Sequence, residues 1–160
     1  MTLPAFYTLR PATVHDAALI QGHRTAMFTD MGSDPQGLAR VHDAGIAWHR
    51  RMLAQGTYSG LLVEHGGEVV AGAGILWNDF PPTADTDSHV RAYLLNVYVL
   101  PEHRGHALAR VLVQTALDEC RARGVNIVTL TASDAGRPTY ERLGFVPQKE
   151  MKLLIPQATA

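Results

Sequence analysis

Residues 93–117 read YLLNVYVLPEHRGHALARVLVQTAL, and the order of strand, turn and helix in this stretch decides how the rest of the chain is laid out. Tyr93 to Leu100 is apolar, aromatic and β-branched apart from Asn96, the composition of a strand buried on both faces. Pro101 ends it. A helical period begins near Gly105: Leu108, Val111, Leu112, Ala116 and Cys120 recur at three- and four-residue steps, and Arg121, Arg123 and Gly124 give a basic last turn and a stop. Between strand and helix lies Arg104-Gly105-His106-Ala107-Leu108-Ala109. A loop entering a helix this way leaves its first N–H groups unpaired at the positive end of the helix dipole, which suits a pyrophosphate.

Working outward, the segment 105–124 is long enough to cross over to a parallel strand at Val125 to Thr131, making a βαβ unit. Upstream, Tyr58 to Glu64 and Val69 to Trp77 are β-rich runs joined by His65-Gly66-Gly67, an antiparallel hairpin signal. Phe6 to Leu9 reads as a first strand. Thr13 then caps a helix to about Ala26, and a second helix runs to about Leu53 after the break at residues 28–37. Asp79 to His89 is a polar, Pro-containing loop whose aspartates are either solvated charges or a lure for a cationic ligand.

A second motif occupies Ala132 to Phe145. Ser133 or Asp134 can cap a short helix that tolerates Pro138 in its first turn, contains Tyr140 and ends at Gly144. The last strand is expected at about Lys149 to Ile155.

The turn and this second motif together resemble the GCN5-related N-acetyltransferases. Arg104, Gly105, Leu108 and Ala109 match the style of that family's Gln/Arg-x-x-Gly-x-Gly/Ala signature, and Ala107 stands where the signature has its middle glycine. Tyr140, Gly144 and Phe145 match its Tyr-x-x-x-Gly-Phe motif, and Leu9-Arg10-Pro11-Ala12-Thr13 with Asp16 is similar to the opening of many members. The resemblance implies an α/β fold forming one domain over residues 1–160. Its mixed, mostly antiparallel sheet would have six to seven strands with a central splayed parallel pair, and about four helices. It implies acetyl-coenzyme A as co-substrate, bound by the backbone of Val97, Tyr98 and Val99 and by Arg104, Gly105, His106, Ala107, Leu108, Ala109 and Ser133. Tyr140 is implied as the catalytic acid near the thioester sulfur. In the family the first helical pair walls the acceptor pocket, so Arg24, Met27, Phe28, Asp30 and Met31 are candidate substrate contacts, or else core and turn residues.

Composition narrows the partners. The 160 residues are 46% hydrophobic and carry a net charge of −1, which gives no positive field for a nucleic acid backbone or an anionic membrane. One cysteine, Cys120, on an apolar helical face fits a reduced compartment, and without a transmembrane run or signal-peptide core the cytoplasm is the expected location. The eight histidines include no i, i+4 pair of the zinc-binding kind, so no metal is expected.

The implied activity is direct transfer of acetyl to a primary amine of a small molecule or peptide, with a homodimer as an admissible assembly. The alternative is a non-catalytic acyl-coenzyme A-binding or regulatory domain, which keeps residues 104–109 and has no need of Tyr140. No carboxylate lies between Val90 and Leu100 to serve as base; Asn96 through a water, or Asp79 from the adjacent loop, are the stand-ins.

Overall fold

The computed structural model describes residues 2–156. Its elements are β1 (Tyr7–Pro11), α1 (Ala17–Asp30), α2 (Pro35–Gln55), β2 (Tyr58–His65), β3 (Glu68–Asp79), β4 (Val90–Val99), α3 (Leu108–Ala122), β5 (Val128–Leu130) and α4 (Arg137–Arg142). Short 3-10 turns at Val14–Asp16 and Pro101–His103 lead into α1 and out of β4. The five strands lie in sequence order, β1 to β4 antiparallel and β4 to β5 parallel.

Sequence chemistry explains the joints. Gly66 and Gly67 take φ of 61° and 85° to close the β2–β3 hairpin. Asp34 caps α2 by accepting from the Gly37 N–H at 2.8 Å, with Pro35 at its first position. Arg10 clamps the first turn through Asp16 at 2.9 Å and Glu64 at 2.6 Å, and that guanidinium holds the Asp16 carboxyl down at about 2.

α3 covers one face of the sheet and α1 with α2 the other. On the α3 face Leu108, Leu112, Val113, Ala116 and Cys120 pack fully buried against Val63, Val70, Ala71, Ile75 and Leu94. Burial also pushes the Cys120 thiol up to about 11, which leaves it protonated and inert. On the opposite face Ile20, Tyr58 and Leu62 form a smaller core with Trp48 and Leu95.

Two sequence expectations are corrected. The sheet has five strands among the described residues, not six to seven, because residues 149–154 join no ladder. Met151, Leu153 and Leu154 have the apolar character of a strand yet are 96%, 82% and 76% exposed. A strand exists only where a neighbour's N–H and C=O groups meet it, and β5, expected over seven residues, offers three. The other expected elements are present, with boundaries moved by a few residues.

Candidate active site

β4 carries the site because its alternation is broken at one residue. Ala73 of β3 is flanked by the partners Gly72↔Tyr98 and Gly74↔Leu95, so one residue of β3 faces both Asn96 and Val97. Asn96 absorbs this bulge at φ 57°, a left-handed conformation that asparagine tolerates better than most residues. The side-chain phase therefore flips. Ala92 and Leu94 point to α3 before the bulge and Val97 and Val99 after it, so Leu95, Asn96 and Tyr98 all serve the α1 face.

Pairing with β5 stops at Leu94↔Leu130. Tyr93 and Thr131 share a hydrogen bond of 2.7 Å at the point of parting. Beyond it Tyr98 and Val99 are paired on the β3 side alone and Val97 lies in the bulge, leaving an edge that another extended chain can join. The open edge runs directly into the turn at residues 101–107.

That turn fits an anion. Gly105 and Ala107 take φ of 83° and 58°, and no side chain caps α3. Among the described residues the backbone N–H groups of Gly105 to Arg110 have no hydrogen-bond acceptor, since the first helical bond runs from Val111 to Ala107. The result is an exposed cradle of N–H groups at a positive helix end, the chemistry a pyrophosphate needs. Leu108 is buried in the core and contributes its amide, while His106 turns its ring back to donate to the His103 carbonyl at 3.1 Å. The Tyr7 hydroxyl bonds His103 Nδ1 at 2.9 Å and so fixes the turn against β1.

Arg104 is directed elsewhere than a free phosphate ligand would be: it donates to the Val99 carbonyl at 3.1 Å and to Asp30 at 2.6 Å. Ser133 accepts from the Gly136 N–H at 3.1 Å and organises the turn into α4. Tyr140, half-buried on α4, lies edge-on to Phe145 with ring centres 5.9 Å apart, and burial pushes its phenol up. Such a phenol keeps its proton at neutral pH. It has no hydrogen-bond partner among the described residues.

Sequence reasoning missed a polar network on the α1 face. Asn96 accepts from Arg24 at 2.7 Å and donates to His49 Nε2 and to the Tyr58 hydroxyl, each at 3.0 Å. His49 in turn donates from Nδ1 to the Gly45 carbonyl at 2.8 Å. Gly74 makes this possible, because the Tyr58 ring occupies the space where a Cβ would be. Desolvation pushes the Tyr58 phenol up to about 12. The one available signal was a lone Asn in an apolar strand. Its amide is engaged at both ends, and Asp79, paired with exposed His89, sits opposite Val90, about 20 Å of strand away. At that distance Asp79 cannot serve as a base beside Asn96.

Of the candidate acceptor contacts, Arg24 and Phe28 line a cleft of about 270 Å³ between α1 and α2, together with Gln21, Thr25, Ser33 and Leu38. Asp30 is taken by Arg104, and Met31 is half exposed. A smaller void of about 10 Å³, room for a single water, is bounded by His23, Tyr58 and Asn96. No cluster of metal-ligating side chains exists among the described residues. No helix among them is long and apolar enough to cross a membrane.

Comparison with known proteins agrees with this geometry. A GCN5-related N-acetyltransferase from Ralstonia eutropha is 35% identical, with 93% of this chain and 98% of that one covered and a TM-score of 0.90. A predicted acetyltransferase from Clostridium acetobutylicum, solved with acetyl-CoA, is 26% identical over 93% of this chain and 96% of its own, with a TM-score of 0.86. An aminoglycoside N-acetyltransferase in complex with CoA shares the fold at 15% identity and a TM-score of 0.73, covering 99% of both chains. No match is found among curated proteins. The model of the acetyltransferase (GNAT) family matches residues 25–145, from the middle of α1 through the open edge of β4 to Phe145, and the chain belongs to that family.

Proposed function

We propose that the protein is an acetyl-coenzyme A-dependent N-acetyltransferase that moves acetyl directly to a primary amine of a small molecule or peptide. The observation that carries this reading is the continuity of the open β4 edge, residues 97–99, with the uncapped N-terminus of α3. A pantetheine arm has amides for the first and a pyrophosphate has charge for the second. Acetyl-coenzyme A supplies the thioester; a main-chain N–H near Val97 polarises its carbonyl.

The amine loses one proton and the departing thiolate gains one. Tyr140 gives the second, since its raised phenol is a donor at neutral pH. His23 accepts the first: burial pushes it down, so its ring is neutral at pH 7 with a lone pair free, and it faces the small void beside Asn96. Ala107, which departs from the signature's middle glycine, already holds the left-handed backbone a glycine would supply, which leaves the turn's form intact.

The test has two parts. Coenzyme A at a hundred times its dissociation constant should stabilise the fold by about 2.7 kcal/mol, a readily measured melting shift. Gly105→Asp should remove that shift by placing a carboxylate in the N–H cradle. Thiol release from acetyl-coenzyme A with an amine panel then separates enzyme from binding domain. Stabilisation without turnover on any amine would favour the alternative, and no stabilisation would refute both.

A further inference from the structure

Arg24 is a cation without a counter-ion. Among the described residues it has no carboxylate within 4 Å; Arg40, Arg50, Arg51, Arg110 and Arg142 also lack one but are exposed, and half-buried Arg91 stacks over Phe80. Its Nη1 is spent on the neutral Asn96 amide, and its guanidinium carbon stands 4.7 Å over the Phe28 ring. Burial is the leading influence on it and works against its charge. Holding a desolvated guanidinium unpaired is costly, and the cost is recovered when a ligand brings the opposite charge.

The cleft beside it has no acidic side chain in its lining. Gln21, only 4% exposed, lines the same cleft with its amide packed against Gly45 of α2. The cleft thus holds a cation in want of an anion, with apolar Phe28 and Leu38 between the helices. Its volume of about 270 Å³ suits a molecule of amino-acid size.

We infer that the acceptor is an amino carboxylate, a free amino acid or a compound of that size, with its carboxylate bound by Arg24 in the α1–α2 cleft. A guanidinium fork matches a carboxylate better than any other side chain does. The same charge repels a polycation, so the aminoglycosides named for a relative of the same fold are selected against. This inference rests on the acetyltransferase reading and narrows it.

The experiment measures kcat/KM for thiol release with matched pairs: L-methionine and L-methioninamide, L-phenylalanine and L-phenylalaninamide, β-alanine and β-alaninamide, with kanamycin as a polycation. The amides have the less basic amines and are the better free nucleophiles at neutral pH, so amine basicity cannot imitate the expected selectivity. Each carboxylate should exceed its amide by at least about tenfold, a difference of about 1.4 kcal/mol. Arg24→Gln should erase the preference, read as the ratio of kcat/KM within each pair, and Arg24→Lys should retain part of it. Equal use of both members, preference for kanamycin, or an equal loss on both members in Arg24→Gln would overturn the inference.

Should Arg24→Gln fail to fold, as judged by its melting curve, the wild-type pairs decide the matter. Should no amine turn over, titration of the coenzyme A complex with N-acetyl-L-methionine and its amide replaces the rate. Carboxylate-selective binding there sustains this inference even if the catalytic reading falls, and its absence ends it.

Discussion

Arg104 reaches from the turn before α3 to the last residue of α1, where its Nη2 donates to Asp30 Oδ2 at 2.6 Å. The pair joins the turn before α3, the proposed phosphate site, to the end of α1. It also gives the guanidinium a competing partner for any phosphate arriving at the turn. Both side chains are about half exposed, 50% and 47%, so the pair itself stabilises the fold by at most about 1 kcal/mol. Asp30→Asn should leave the melting temperature nearly unchanged and tighten coenzyme A binding by up to about fivefold, because a carboxylate leaves the neighbourhood of the phosphates. Calorimetric titration checks this. Weaker binding in the variant would mean that Asp30 holds Arg104 in place for the cofactor.

Ala107→Gly tests the departure from the family signature. Judged from sequence, a glycine would sit in the helix and cost it stability. The structure reverses the sign: Ala107 precedes the first residue of α3 at φ 58°, where an L side chain is strained by about 1 kcal/mol and glycine is not. The glycine variant should melt higher and bind coenzyme A at least as well. A lower melting point would show that the methyl group makes a compensating contact.

These two residues also illustrate what the sequence could disclose. The buried stripe of α3 was legible because a helix writes its core face at a fixed local period, and the Gly66-Gly67 hairpin because positive φ restricts residue choice. Tyr140, Gly144 and Phe145 were legible as a family motif. The bulge at Asn96 was not, since it is a mismatch of count between β3 and β4 that neither strand shows alone. The Arg24, His49 and Tyr58 network joins three elements far apart in the chain. The final strand was over-read because apolar Met151, Leu153 and Leu154 satisfy a strand's pattern without supplying its partner.

His49 makes the fold acid-sensitive. Burial, with Arg24's charge as a lesser contributor, pushes it below its ordinary value, and the Gly45 carbonyl only partly opposes this. A proton on Nε2 would face the N–H that Asn96 already points at it. The folded state therefore resists a proton that the unfolded chain accepts near pH 6.5, so the stabilising contribution is complete above that pH and is lost as pH falls below it. His23 is shifted the same way by burial. Melting temperature should hold steady above about pH 7 and decline towards pH 5. His49→Gln should melt lower at pH 7 but with a shallower decline, and an unchanged slope would assign the sensitivity to other groups.

Tyr140→Phe separates catalysis from packing. The ring contributes to the α3-side core with Leu143 and Phe145, and phenylalanine keeps that surface, so the variant should fold with a melting temperature close to that of the parent. Removing the hydroxyl takes away the proposed donor to the thiolate and nothing that the structure uses, since the phenol has no internal hydrogen bond among the described residues. Turnover should fall by about 10²-fold or more, the usual contribution of a positioned general acid. Coenzyme A affinity should change by no more than about 1 kcal/mol, the size of a single hydrogen bond to sulfur. Rate and binding are read separately by thiol release at saturating acetyl-coenzyme A and by calorimetry. Desolvation raises the phenol, so the parent's rate should show no loss from its deprotonation at neutral pH. Near-parental turnover in Tyr140→Phe would make the residue a packing element. Loss of coenzyme A binding would instead make its role the placement of the cofactor, and the thiolate would then have to take its proton from water in the cleft.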